Sequence, residues 1–291
     1  MDQATANPDR PEHVYEGAAR EAPTVVQRPL SIWERIAGTA WVRKLFILLA
    51  LALIWDLYAR VVDNSLLFPT FVATARAFVL GVVEGPLIER SWMSIRLLLF
   101  GYSLGVVLAA FFTALAMGSR LMTDFLQTLT AMFSPLPAIA MLPLALIWFG
   151  IGSGSVIFVV VQSVLWAIAL NTLAGFLGVS QTLQMVGRNY GLRGLPFVRR
   201  ILIPAAFPSI LTGLKVGWAF AWRTLIAAEL VFGVSSGSGG LGWYIFENKN
   251  LLEIENVFAG LFSVILIGLL VENAIFLNLE RRTVRRWGMQ A

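Results

Sequence analysis

Runs of about twenty apolar residues recur along this chain, and they restrict the fold more than any other feature. Leu45–Trp55 reads LFILLALALIW, and Val156–Leu177 reads VIFVVVQSVLWAIALNTLAGFL. Within hydrocarbon no water satisfies a backbone N–H or C=O, so an open segment of this kind must be a helix. At 1.5 Å per residue, about 20 residues cross the ~30 Å apolar layer. Six runs qualify, at about 45–62, 95–117, 123–148, 156–177, 210–232 and 254–278. Composition agrees: 58% of the 291 residues are hydrophobic and 13% charged, against about 45–50% and about 25% in soluble domains. The expected fold class is an all-α membrane protein with six transmembrane helices.

Several chemistries are excluded by what the sequence lacks. It has no cysteine and one histidine, His13, so no disulfide framework, thiolate site, histidine metal site or catalytic triad is available. The three lysines, Lys44, Lys215 and Lys249, lie outside any Gly-Lys-Ser/Thr. The glycine-rich Gly150–Ser155 is likewise followed by no such lysine, so nothing here cradles a nucleotide phosphate. The net charge of +5 is carried mostly by arginine at span ends. That pattern sets membrane orientation and does not imply nucleic acid. Residues 1–31 are polar and rich in Pro, Glu, Arg and Ala, and are expected to form a disordered cytoplasmic tail.

Along the chain, Ser31 can cap a short helix, Ile32 to Gly38. Pro69 opens an amphipathic helix whose apolar positions are Phe71, Val72, Ala75, Phe78, Val79 and Val82. It is too short to span and is placed along the outer surface. Two rows of small residues in the second span, Gly101/Gly105/Ala109 and Ala110/Ala114/Gly118, predict close helix packing, as do Gly213/Gly217/Ala221 in the fifth. Pro135, Pro137 and Pro143 predict a bent third span. Pro204 and Pro208 mark the return into lipid, and Leu241–Phe246 is an apolar piece within an outer loop. Arg188, Arg193, Arg199 and Arg200 between spans 4 and 5, and four more at the C-terminus, place both termini and this loop in the cytoplasm.

Ionisable groups inside a bilayer are costly and must face protein or water. Asn171, Arg223 and Glu229 are the candidates for a translocation pathway, with Arg223 suited to an anion. The competing reading pairs Arg223 and Glu229 with polar groups on neighbouring spans. Lys215 is expected to snorkel toward the cytoplasmic interface, and Glu272 to pair with the terminal arginines.

Gln181–Pro208 (QTLQMVGRNYGLRGLPFVRRILIPAAFP) interrupts the apolar runs. Leu183, Val186 and Tyr190 share one helical face and Gln181, Gln184 and Arg188 another. Gly191 and Gly194 stop that helix, and Leu195-Pro196 opens a second. A short rigid amphipathic helix between two spans suits docking into a groove of a soluble partner.

This stretch resembles the cytoplasmic signature of membrane subunits of bacterial ABC importers: E-A-A, three residues, Gly, nine residues, I-x-L-P. Gly191 stands at the glycine, and Ile201, Ile203 and Pro204 stand at the final motif, while Met185-Val186-Gly187 replaces the opening triplet. Pro135–Gly152 (PLPAIAMLPLALIWFGIG) and Ala221–Leu230 (AWRTLIAAEL) make the chain most similar to the nitrate, sulfonate, taurine and bicarbonate permeases of that family. The resemblance covers roughly Val42 to Glu280.

It implies the type I importer (MetI-like) fold and a multi-pass location in the bacterial inner membrane. It also implies a homodimer of permeases among membrane lipid, two ATP-binding subunits and an extracytoplasmic solute-binding protein. ATP and Mg would be held by the partner subunits, with no catalytic residue or metal in this chain. The coupling residues carried over are Leu183, Val186, Arg188, Asn189, Tyr190, Gly191 and Arg193, on a helix at about 181–194. Tyr190 is expected to enter the partner's groove, and Arg188 and Arg193 to meet its acidic rim. A secondary transporter, or a membrane scaffold docking a soluble partner, remain as alternatives. The first needs inverted repeats, which the two halves do not display.

Overall fold

The computed structural model describes residues 39–232 and 239–284, and these are helical apart from short connections. The expected N-terminal tail, the Ser31-capped helix, and Arg285 and Arg286 lie outside the described residues. The chain divides into two units, residues 1–52 and 53–291, with the boundary inside helix α1 (Ala40–Val62). In the first unit the described residues are the opening turns of α1, with Trp41, Phe46, Leu48 and Leu49 exposed. Such a surface is at home in lipid.

In the second unit, the end of α1 is followed by α2 (Phe71–Val83), α3 (Leu87–Ala116), α4 (Arg120–Phe133) and α5 (Leu142–Phe149). Next come α6 (Ser153–Leu177), α7 (Gln181–Asn189), the one-turn α8 (Gly194–Phe197) and α9 (Ile203–Phe232). The last are α10 (Leu241–Asn250), α11 (Ile254–Val271) and α12 (Leu277–Arg282). Five helices or joined helices are long and apolar enough to cross a membrane: Trp41–Val62, Leu87–Ala116, Ser153–Leu177, Gly194–Val231 and Ile254–Arg282. A sixth span arises if α4 and the helical segment Ala138–Phe149 are counted together. These two are bent by 88°. The break carries Pro135 and Pro137, whose missing N–H groups remove helix hydrogen bonds, so the bend expected from the prolines is observed.

Helix α6 is the axis of the fold. Its apolar window is 61% buried, the largest share among the five long helices. Both expected glycine rows rest on it. A Cβ added at Gly101 or Gly105 would lie 2.8 Å from Val160 or Val164 side chains. One added at Gly213 or Gly217 would lie 2.9 Å from Asn171 Cβ or 3.0 Å from Ile168. Val160, Val164 and Ile168 recur every four residues, so α3 and α9 grip one ridge of α6, with Val164 shared between them. The second row of α3 does not pack: Ala110, Ala114 and Gly118 are exposed. Ala110 lies about 100° around the helix from Ala109, so when one row faces α6 the other faces away.

Helix α2 buries its small residues and not its large apolar ones. Thr70 caps it, its side chain accepting from Ala73 N–H at 3.2 Å. Its buried positions are Thr74, Ala77 and Gly81, while Val72 and Val79 stand exposed. Gly81 lets Leu87 of α3 approach closely, a Cβ there lying 2.6 Å from its side chain, and toward α11 Phe78 meets Phe262 edge-on at 5.1 Å. The larger aliphatic side chains are left outside, an arrangement lipid tolerates.

The helical run into α9 begins earlier than Pro204 and Pro208 suggested. It starts at Gly194 and passes through one wide π turn, Val198–Leu202. Such a turn relieves the clash a proline makes with the carbonyl four residues before it. Pro204 is therefore accommodated just past the turn, and Pro208 lies inside α9 itself. Lys215, expected to reach toward the interface, forms an ion pair with Glu280 of α12. Glu272 is exposed and makes no ion pair with Arg281 or Arg282 among the described residues.

Candidate functional site

Helix α7 is built to project. The Ser180 side chain accepts from Leu183 N–H at 3.4 Å, and the Ser180 carbonyl accepts from Gln184 N–H at 3.2 Å. Gln184 Nε2 donates to Val179 O at 2.9 Å. At the other end Leu192 N–H donates to Gly187 O at 3.1 Å and Gly191 N–H to Arg188 O at 2.9 Å. With Gly191 at φ 75°, this is a Schellman turn, which needs a left-handed residue where glycine costs least. Gly191 thus does stop the helix, and α7 is shorter than the expected 181–194.

The buried residue of α7 is Gly187. A Cβ there would lie 2.9 Å from both Ile201 and Phe197. Gly187 and Ile201 occupy the opening triplet and the closing motif of the signature, and here they touch. The triplet position has to be small because the start of the α9 run passes directly over it. Beneath lies a separate apolar cluster of Phe176, Val179, Leu202 and Ala206. Leu183, Val186, Arg188, Asn189, Gly191 and Arg193 are exposed, and Tyr190 is 83% exposed. The predicted coupling residues are thus all solvent-facing: Leu183, Val186 and Tyr190 flank the buried Gly187 on one side of α7, and Arg188 and Asn189 lie around the helix from them.

The second feature is a cavity of about 340 Å³ at the α4–α5 break. One wall is the proline-rich segment from Phe133 to Ile139. The others are a face of α6, with Gln162 and Trp166, and a face of α9, with Phe220, Arg223 and Ala227. These residues recur every three or four positions, so each helix offers one face. Trp166 is 8% exposed and stacks on Phe133 at 5.1 Å and 8°. The Arg223 guanidinium stands 5.8 Å over the Phe220 ring and forms no ion pair among the described residues.

The three predicted pathway residues are not gathered in this cavity. Arg223 lines it, whereas Asn171 and Glu229 do not. Asn171 lies more than two turns further along α6 than Gln162. Its Nδ2 donates to Ala167 O at 2.8 Å, and its Cβ faces Gly213 of α9. Its polar group is thus satisfied within its own helix. Glu229 is fully buried. Its carboxylate accepts from Ser94 Oγ at 2.7 and 2.9 Å and from Gly242 N–H at 2.9 Å, and Ser94 Oγ accepts from Leu241 N–H at 2.8 Å. A carboxylate on α9 and a hydroxyl on α3 thus cap the first turn of α10, satisfying two of its orphan N–H groups. Arg90 holds the same helix by donating to Gly239 O at 2.8 Å and pairing with Glu247 at 3.4 Å. Outside the spans, burial, then the nearby Glu253 carboxylate, pushes the Tyr244 phenol above its ordinary pKa.

Two cavity residues were missed in the sequence, Gln162 and Trp166. Gln162 is a polar residue inside an apolar span, a signal of the same kind that singled out Asn171. Nothing local distinguishes Trp166 from a core tryptophan.

The family described as binding-protein-dependent transport system inner membrane component matches residues 101–285. A putative ABC transporter permease protein of Methanocaldococcus jannaschii is 31% identical over 226 residues, 76% of this chain and 84% of the relative. The putative aliphatic sulfonates transport permease protein SsuC of Bacillus subtilis is 27% identical, covering 85% of this chain and 88% of its own. The taurine transport system permease protein TauC of Escherichia coli is 32% identical over 60% of this chain and 59% of its own.

Proposed function

The chain belongs to the family of binding-protein-dependent transport system inner membrane components, and from that membership we propose that it forms the translocation pathway of an ATP-driven importer for a small anionic solute. The solute class is a sulfonate such as taurine, or nitrate or bicarbonate. The observation that carries this reading is α7, a short capped helix with an exposed apolar face, tied to a transmembrane helix through Gly187 and Ile201.

Two ATP-binding subunits hold ATP and Mg and grip α7 on the cytoplasmic side. A second permease copy completes the pathway, and an extracytoplasmic binding protein delivers the solute. Both termini lie in the cytoplasm, as the arginine distribution favours. Closure of the ATPases displaces α7, and the helices around the broken span reorient between inward and outward access. This chain supplies no covalent chemistry.

Tyr190→Asp tests the reading. The substitution places a charge on a side chain that is 83% exposed, so membrane accumulation should be unchanged. Uptake into proteoliposomes and solute-stimulated ATP hydrolysis should fall to background. Undiminished uptake removes the docking role, and failure of any ATP-binding subunit to co-purify with the tagged chain removes the importer reading itself.

A further inference from the structure

Among the lining residues of the cavity at the α4–α5 break there is no acidic side chain, and one carries a full positive charge, Arg223. Two further donors in its lining have no acceptor on the protein. Gln162 Nε2 and Trp166 Nε1 are both enclosed and both unpartnered. Buried donors are almost always satisfied, so two orphans beside one unpaired guanidinium require an explanation. All three groups donate, and a cation would find no countercharge in the lining. An oxyanion, with several acceptor lone pairs, satisfies all three at once.

Size and wall chemistry narrow the class. About 340 Å³ is near the lower end of small-molecule pockets, which run about 300–1,000 Å³. It is also roughly ten times the ~30 Å³ share of one water, more room than a bare inorganic oxyanion fills. The proline-rich wall, Pro135, Leu136, Pro137 and Ile139, suits a short hydrocarbon stem. We propose that this cavity is a binding station for a small organic oxyanion of the sulfonate class, with Arg223, Gln162 and Trp166 on the headgroup and the proline-rich break against the stem. The proposal rests on the importer reading for its place on a transport route.

The test uses the full-length permease purified with its ATP-binding subunits in lipid nanodiscs, without the binding protein. Equilibrium binding of ethanesulfonate is measured, with nitrate as the bare oxyanion and ethylammonium as the cation of similar size. The complex should bind ethanesulfonate saturably and ethylammonium not at all. Arg223→Gln should weaken binding about tenfold or more, and Gln162→Leu and Trp166→Phe several-fold each, since hydrogen bonds to charged groups are the stronger kind. Elution of each variant as the intact complex separates lost binding from lost fold.

Equal binding by the parent and Arg223→Gln overturns the proposal, as does absence of saturable ethanesulfonate binding. Nitrate binding as tightly as ethanesulfonate overturns the role of the apolar wall. If binding fails while Tyr190→Asp still uncouples ATP hydrolysis, this site is wrong and the importer reading stands. If no ATP-binding subunit accompanies the chain, the importer reading fails whatever the binding shows.

Discussion

Glu229 and Arg223 sit on the same helix, six residues apart, and the fold treats them in opposite ways. Glu229 is sealed from solvent, with hydrogen bonds from Ser94 and Gly242. Arg223 is exposed in the single chain, rests over one phenylalanine ring and has no ion pair among the described residues. A charge in mid-bilayer costs about 2.5–3.5 kcal/mol on insertion scales. Glu229 offsets that cost inside the protein by holding α10 in place. Arg223 leaves it unmet, which is the mark of a group kept available for something outside this chain. Exposure alone therefore does not rank intramembrane charges; the census of their partners does.

The contrast can be broken at four points. The largest effect is expected from Glu229→Ala, which strands the Ser94 hydroxyl and Gly242 N–H and should cost about 3 kcal/mol or more. Thermal unfolding of the purified chain in nanodiscs would read this, and an unchanged midpoint would deny Glu229 its structural role. Gly242→Ala comes next, because the new Cβ would lie 2.6 Å from both Glu229 Cβ and Ile226 O, an overpacking worth about 1–3 kcal/mol. Ser94→Ala removes a donor to Glu229 and the acceptor of Leu241 N–H, and should cost about 1–2 kcal/mol in the same assay. Smallest is Arg223→Ala, with stability shifted by no more than about 0.5 kcal/mol but uptake of an anionic solute reduced. A protein that fails to accumulate after Arg223→Ala would erase the distinction between the two charges.

Much of this architecture was legible because lipid imposes local rules. Apolar run length gave the spans, Gly101/Gly105 and Gly213/Gly217 gave the packing faces, and the proline cluster gave the break. The helix stop at Gly191 was readable for the same reason: it depends on one residue and its neighbours. What failed to show were relations between distant positions. Glu229 meets Ser94 from 135 residues away, and Lys215 meets Glu280 from 65. No periodicity encodes such a meeting. The row Ala110/Ala114/Gly118 looked as good as the row that packs, because small residues permit approach without naming what approaches. Gln162 and Trp166 are four apart on α6, yet only the bend between α4 and α5 turns that face into a cavity wall.

The contact of Gly187 with Ile201 has a mechanical consequence. From Ile201 to Arg223 is 22 residues of helical run, or about 33 Å of rod at 1.5 Å per residue. A nudge at the foot of that rod need not pass through a relay of side chains to reach the guanidinium. Tilting the rod by about 5° sweeps its far end sideways by roughly 3 Å, enough to make or break a hydrogen bond.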